Sequence, residues 1–241
     1  MLAARLCDVS PSGESTLVSY GLLNLTHREG HTSLLPLEPG QRYVVHLQLN
    51  AIAHRLPAGH QWRLALSPDY WPMAWPSPQP VTLTIFTGSD TRLNLPVRPP
   101  NPADDNLPAF GPPEHAAPLP AEVTRTGRRE RTFTWNTRTH QLELCSVADD
   151  GGLRLAGSGV ALDSRLVECY RIVAGQPQSA RVQSDWQIEM DQDAWRVRIV
   201  THSAMTADAG HFIVTNSLDA YEGPARVFAR TWHKRIPRDG S

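Results

Sequence analysis

The sequence predicts an all-β protein, an antiparallel sandwich of the jelly-roll kind. Short segments in which apolar and polar residues alternate recur at intervals of roughly 8–12 residues, glycine and proline separate them, and no long amphipathic helical pattern lies between them. Residues 60–67 show the alternation, since Trp62, Leu64 and Leu66 are interleaved with polar or small residues. A period of two places one set of side chains against a core and the other towards water.

The other predicted strands follow in chain order on both sides of this segment. Residues 43–49 show the clearest alternation, and a Pro-Ser-Gly turn at 11–13 joins the first two strands into a hairpin. The predicted strands are 2–9, 16–20, 43–49, 60–67, 81–86, 131–135, 141–147, 160–173, 181–190, 195–202, 211–219 and 226–234.

The segment from 96 to 120 differs in composition from the rest of the chain. It holds nine prolines in twenty-five residues, which is typical of a semi-extended connector and not of a packed element. All-β sandwiches of 241 residues commonly form one domain. Considered alone, the segment is also a candidate domain boundary.

Charge and cysteine content exclude several classes of partner. The formal net charge of −1 gives no field that attracts nucleic acid or an anionic membrane, and no apolar run is long enough to span a bilayer. Cys7, Cys145 and Cys169 are odd in number and far apart, which argues against a disulfide framework and a zinc site. We therefore expect a soluble protein in the reducing cytoplasm, with no metal and no cofactor.

The motifs of a serine hydrolase are missing from this sequence. The G-x-S-x-G elbow does not occur, and the nearest approaches, Gly13-Glu14-Ser15 and Gly157-Ser158-Gly159, are predicted to be turns. His27 and His31 have the spacing of two metal ligands on a helix, but Gly30 favours a loop and no third ligand follows. The chain alone is therefore predicted to be no enzyme.

A basic run and an aromatic loop are the remaining candidates. The arginines between 125 and 131 lack a glycine-rich phosphate cradle, so they predict a solvated or interface-lining edge strand. The proline-rich loop 67–80 displays Tyr70, Trp71 and Trp75. These rings could cap the end of the sandwich, stack on a sugar or pack against another domain; the sequence favours the first and third alternatives.

Seven segments together give the chain a family resemblance. They are RLCDVSPSG (5–13), GLLNLTHR (21–28), LEPG (37–40), AHRLPAGHQWRLALS (53–67), YWPMAWPSP (70–78), LPVRPP (95–100) and YEGPARVFARTWHKRIPRD (221–239). In this order they resemble the C-terminal domain of the CocE/NonD-type acyl hydrolases, which the Xaa-Pro dipeptidyl-peptidases share.

The resemblance implies a galactose-binding-like jelly roll, with segment 96–120 as an excursion inside a single domain, 1–241. Members of the family are serine hydrolases whose catalytic residues lie in an upstream α/β-hydrolase domain, and no position here matches those motifs. The implied role is to support the catalytic domain and to wall its active-site cleft, with Tyr70, Trp71 and Trp75 as interface or cleft-lining residues.

Relatives usually have one or two strands before the position that corresponds to Leu2. The resemblance therefore implies that the fold lacks these strands, and the edge of segment 2–9 is expected to be free for self-association. Two alternatives stay open: a free-standing carbohydrate-binding module, and a chain that is itself a hydrolase.

Overall fold

The structure is a computed structural model that describes residues 1–240. It is all-β, with antiparallel sheets consistent with a β-sandwich, which confirms the predicted fold class. Besides two short 3-10 helices, Leu25–His27 and Pro102–Asn106, eleven strands are present. They are β1 (Leu2–Val9), β2 (Ser15–Leu23), β3 (Gln61–Ser67), β4 (Ala121–Arg125), β5 (Arg128–Asn136), β6 (Gln141–Leu155), β7 (Ala161–Val173), β8 (Gln176–Gln192), β9 (Trp195–Ala207), β10 (His211–Glu222) and β11 (Ala225–Pro237).

The small sheet has the strand order β2-β1-β3. β1 is its central strand and carries the most buried apolar side chains of the chain, among them Ala3 and Leu6. The expectation that the first strand lies beside a vacancy is therefore wrong, because β3 occupies that position and pairs with β1 over its length. Self-association through a free edge of β1 is excluded by the same pairing.

The large sheet has the strand order β11-β10-β9-β8-β7-β6-β4, and β5 pairs with the other half of the same side of β6. From β6 onwards each strand pairs with the next strand along the chain, so short hairpin turns suffice as connections. The basic run Arg125–Arg131 spans the end of β4 and the start of β5 at this edge. The edge strand predicted there is confirmed, and its charges oppose pairing with a second sheet.

A one-residue bulge in β6 sets the register of the central hairpin. Gly151 pairs with Ser164, but Asp149 pairs with Arg165, so one residue of β6 is left without a partner. The shift brings Cys145 opposite Cys169, and the two form a disulfide. The expectation that no disulfide forms is wrong, because a register that only the folded sheet defines makes these distant cysteines neighbours. The cysteines therefore no longer support a cytoplasmic location.

Two predicted strands are not regular strands in the structure. Residues 43–49 and 81–86 are extended without a ladder of backbone hydrogen bonds. In residues 43–49 the alternation still governs burial: Tyr43, Val45, Leu47 and Leu49 are half-buried and the residues between them are exposed. This segment lies so close to β2 that a Cβ atom at Gly21 would overlap the Gln48 carbonyl group.

The proline-rich segment 96–120 forms a connector, as predicted. Apart from its 3-10 helix it has no regular structure, and nearly all of its side chains are exposed. Its best-defined contact is the bidentate pair between Arg98 and Asp104, with N–O distances of 2.6 and 2.5 Å. Such an exposed pair stabilises a chain only slightly, so the segment carries little of the packing.

Candidate functional site

The large sheet has one apolar face and one polar face. Directly paired residues point to the same side of a sheet, so the register assigns each row of side chains to a face. One row runs through Phe133, Leu144, Tyr170, Val182, Met205 and Val214. Further rows on this face, which we call the apolar face, include Leu166-Trp186-Thr201-Leu218, Ile188-Ile199-Ala220-Phe228 and Val123-Leu153-Leu162-Met190-Val197.

A polar strip crosses the apolar face between its first row and the others. It consists of Ser146, Glu168, Ser184, Ser203 and Asn216, which are neighbours across five strands. Beyond this strip the large side chains are poorly covered: Trp186 is 44% exposed and Phe228 46% exposed. The chain's own aromatic loop thus covers the first row at Tyr170, whereas Phe133 at the edge of that row and the rows beyond the strip are left open.

The opposite face of the large sheet carries the charged and hydrogen-bonding groups. It holds the disulfide, and Asp185 bonds with Nδ1 of His202 at 2.5 Å. The Arg125 guanidinium binds the carboxylates of Asp149 and Asp163, with N–O distances of 2.7 to 2.9 Å. Hydrogen bonds from Arg125, together with the backbone N–H of Gly151, lower the pKa of Asp149 to about 2.

The three rings of the loop join the two sheets, and we call Tyr70, Trp71 and Trp75 the aromatic junction. Tyr70 packs edge-on against Tyr20 of β2, with ring centroids 5.6 Å apart. Trp71 and Trp75 contact one another at 5.1 Å. On the large sheet, Trp71 contacts Tyr170 at 6.2 Å and Trp75 contacts Phe212 at 5.8 Å, both on the apolar face. Edge-to-face contacts of this kind add to the area that the rings bury.

Arg238, just after β11, fixes the junction from the other side. Its side chain is buried, its guanidinium carbon lies 4.8 Å from the centroid of the Phe212 ring, and Nη2 donates to the Pro76 carbonyl at 2.5 Å. Burial lowers the pKa of Arg238, and the nearby Asp208 partly opposes this effect. A buried guanidinium bonded to a loop carbonyl holds the proline-rich loop against the end of the sheet.

The aromatic junction contacts residues of its own chain, and its rings are half-buried. This arrangement agrees with rings that cap the end of the sheets. Trp71 and Trp75 use their edges and faces on each other and on the large sheet, so neither presents an unobstructed flat ring to a sugar. The junction contacts the first row of the apolar face, and the polar strip separates it from the open rows.

A carboxylate with two histidine partners was missed by the sequence prediction. Asp8 of β1 is buried and accepts hydrogen bonds from Nε2 of His54 at 2.9 Å and Nδ1 of His60 at 2.6 Å. Burial favours the neutral acid, but the two hydrogen bonds outweigh it, and the pKa of Asp8 is lowered. All three residues lie in segments that carry the family resemblance, 5–13 and 53–67, but neither segment alone indicates that these side chains meet.

The next features are the pair His27 and His31, possible metal-binding groups and possible membrane-spanning helices. The rings of His27 and His31 lie 5.1 Å apart, at and after the first 3-10 helix. Among residues 1–240, no group of three or more His, Cys, Asp or Glu side chains is arranged to hold a metal ion. No helix in that part of the chain has the length and apolar character needed to cross a membrane.

Comparison with known proteins gives one match. The family profile of the X-Pro dipeptidyl-peptidase C-terminal non-catalytic domain matches residues 1–102, and the match ends inside the proline-rich connector. No curated protein and no solved structure matches the chain. The matched part contains the small sheet and the aromatic junction. The predicted resemblance is therefore confirmed over residues 1–102, which match the C-terminal non-catalytic domain of X-Pro dipeptidyl-peptidases.

Proposed function

We propose that this chain is a single non-catalytic β-domain, 1–241, that packs on an α/β-hydrolase catalytic domain. The partner is of the X-Pro dipeptidyl-peptidase or CocE/NonD acyl hydrolase type, supplied by an upstream segment or by a separate chain. The domain stabilises that partner and walls its active-site cleft. The family match over residues 1–102 supports the class of partner.

The observation that carries the proposal is the amount of uncovered surface. The accessible area is 17373 Å², whereas a monomeric protein of 26.7 kDa exposes roughly 11,000 Å². Part of the excess belongs to the polar connector, but the open rows of the apolar face contribute large hydrophobic side chains. Apolar patches of this extent mark interaction surfaces.

The open rows have the composition of the centre of a protein interface. Trp186 lies near their middle, with Ile188 and Phe228 in the next row. Aromatic residues with aliphatic neighbours are the residue types that dominate binding energy at interfaces. A partner that also covers the polar strip would reach the aromatic junction, and we propose that Tyr70, Trp71 and Trp75 line the cleft there.

Contacts between distant parts of the chain support the single domain. The Gly240 carbonyl accepts hydrogen bonds from Nδ2 of Asn24 at 2.8 Å and Oγ1 of Thr26 at 2.5 Å. The side chain of Gln178 donates to the Pro78 carbonyl at 3.0 Å. Together with the aromatic junction, these contacts join residues that precede the connector to residues that follow it.

The test is a binding measurement with matched variants. The chain is titrated with the catalytic domain of an X-Pro dipeptidyl-peptidase that lacks its own C-terminal domain. We expect Trp186→Ser to weaken binding about 30-fold, the effect of losing an aromatic anchor worth roughly 2 kcal/mol. Gln187→Ser is the control, because Gln187 neighbours Trp186 in β8 but points to the polar face.

A second apolar-face variant, Phe228→Ser, covers the case in which Trp186→Ser does not fold, since Phe228 lies on the edge strand β11. Absence of binding by the unchanged chain contradicts the proposal. Equal losses with Trp186→Ser and Gln187→Ser contradict the assignment of the interface to the apolar face. Turnover of p-nitrophenyl esters or of X-Pro peptides by the chain alone overturns the non-catalytic role.

A further inference from the structure

The outer face of the small sheet carries a concavity that the scaffold role does not explain. The outer face is the side of β1–β3 to which Arg5, Cys7 and Arg63 point. The concavity has a volume of about 310 Å³, and its lining combines Arg5, Cys7, Ser15, Arg63 and Tyr70 with the apolar side chains of Leu17 and Ala65. The buried Asp8 with its two histidines lies on the other face, because adjacent strand residues point to opposite sides.

The two arginines of the concavity are close together without a carboxylate partner. Arg63 pairs directly with Cys7, which is two residues from Arg5 on the same face, so the arginines are diagonal neighbours. Within residues 1–240, neither guanidinium lies within 4.0 Å of an acidic oxygen. Two neighbouring positive charges without a counter-charge repel each other, and a bound anion would relieve that repulsion.

Arg5 is held in place before any ligand arrives. Its guanidinium carbon lies 5.2 Å from the centroid of the Tyr70 ring, which is itself fixed by its edge contact with Tyr20. The contact with the ring uses the charge of Arg5 and not its N–H donors. Nε of Arg5 is shielded from water and has no hydrogen-bond partner. A shielded donor without an acceptor is unfavourable, but a ligand in the concavity does not reach this nitrogen, so the terminal nitrogens of Arg5 are the donors that the ligand would meet.

We propose that this concavity binds a small organic carboxylate. Arginine offers a planar fork of N–H donors that matches the two oxygens of a carboxylate, and two neighbouring arginines favour a ligand with two such groups. The hydroxyl groups of Ser15 and Tyr70 add donors beside the arginines. A volume of about 310 Å³ exceeds what a chloride ion needs and suits an acid of a few carbon atoms. The proposal does not depend on docking to a catalytic domain.

The test titrates the full chain with succinate at constant ionic strength, with chloride as the balancing anion. The side-chain Nε–H signals of arginine are followed by NMR, and heats of binding by calorimetry. We expect saturable binding that shifts the Arg5 and Arg63 signals, with affinity lowered at least about tenfold in Arg63→Ala, because a charge-assisted fork is lost. Succinamide, which has the same length without charge, should not bind.

Arg55→Ala is the matched control, since Arg55 is exposed and lies outside the concavity. Arg63 is exposed as well, so its replacement should leave the circular dichroism spectrum unchanged, and Arg63→Gln provides a second variant of similar size. Equal affinities in Arg63→Ala and Arg55→Ala overturn the proposal, because they indicate general screening of surface charge. A linear response to succinate without saturation overturns it as well.

Discussion

Residues 1–102 and residues 121–240 are held together in different ways. The first region has three strands of 7 to 9 residues and long segments without regular structure. Its order depends on particular side chains, such as Asp8 with its two histidines and Arg28, which donates to the carbonyls of Leu25 and Leu35. The second region is a succession of hairpins whose order comes from backbone ladders.

The two regions make different demands on the sequence. The contact of Asp8 with His54 and His60 requires those residue types at those positions. A hairpin requires alternation and a turn, and many apolar residues satisfy it. The family match covers the first region, residues 1–102.

The largest expected effect is a loss of stability in the second region alone. Replacing both cysteines, Cys145→Ser with Cys169→Ser, opens a cross-link between residues 24 positions apart and should lower the free energy of unfolding by about 3 kcal/mol. Urea unfolding followed by circular dichroism measures the loss. Cys7→Ser, which removes the free cysteine of the small sheet, should leave the midpoint nearly unchanged. Equal effects from both replacements would show that Cys145 and Cys169 are not joined.

The next effect tests the connection between the two regions. Trp75→Ala removes a half-buried ring that contacts Trp71 and Phe212, and it should cost about 2 kcal/mol, somewhat less than the loss of a fully buried aromatic side chain. Trp195→Ala is the control, because Trp195 is 46% exposed at the start of β9. If the junction couples the regions, their unfolding transitions should separate in Trp75→Ala. Coincident transitions with an unchanged midpoint would contradict that coupling.

A smaller effect compares one buried carboxylate in each region. The pKa of Asp149 is lowered to about 2 in the folded chain, and that of Asp8 is also lowered. Because the folded pKa lies below the unfolded value near 4, the stability that each carboxylate contributes is complete above pH 4 and is lost as the pH falls towards the folded pKa. Urea midpoints between pH 5 and pH 2 should therefore fall.

Asp149→Asn and Asp8→Asn should each flatten that decline, and each should destabilise the chain at pH 7, because the amide cannot replace the ionised acceptor. Glu114→Gln is a control in the exposed connector. A decline that keeps its full slope in both variants would assign the acid sensitivity to other carboxylates.

The smallest expected effect concerns the carbohydrate-binding alternative. Titration with simple sugars should leave the tryptophan fluorescence unchanged, because Trp71 and Trp75 are engaged with each other and with the large sheet. Saturable quenching that disappears in Trp71→Ala would restore the alternative and would place a ligand site in the first region.

The sequence predicted most of the strands but not which strands are neighbours. The alternation of Trp195, Val197 and Ile199 predicted β9, and the arginines after residue 124 predicted an edge. Residues 43–49 failed as a strand because alternation shows which side chains are buried and not whether the backbone finds a partner. Pairing is a property of two segments, and a single pattern does not contain it.

The cysteines illustrate the same limit and show where a signal was present. Cys145 and Cys169 each lie twelve residues from Gly157, inside the turn Gly157-Ser158-Gly159 that the sequence indicates. Equal distances from a hairpin turn bring two residues close to one another, but Leu153 pairs with Leu162, so without a bulge Cys145 would face Tyr170. The symmetry was informative, but the bulge after Asp149 is needed for the register that pairs them, and no sequence pattern announced it.

The hydrogen bonds from Asn24 and Thr26 to the Gly240 carbonyl set a constraint on the order of folding. They join residues 216 and 214 positions apart, so they form only after nearly the whole intervening chain has been synthesised and placed. Contacts of such sequence separation slow folding, since the loop must close before the bonds contribute. During synthesis the first hairpin emerges long before its last partner, and its apolar residues meanwhile require protection from aggregation.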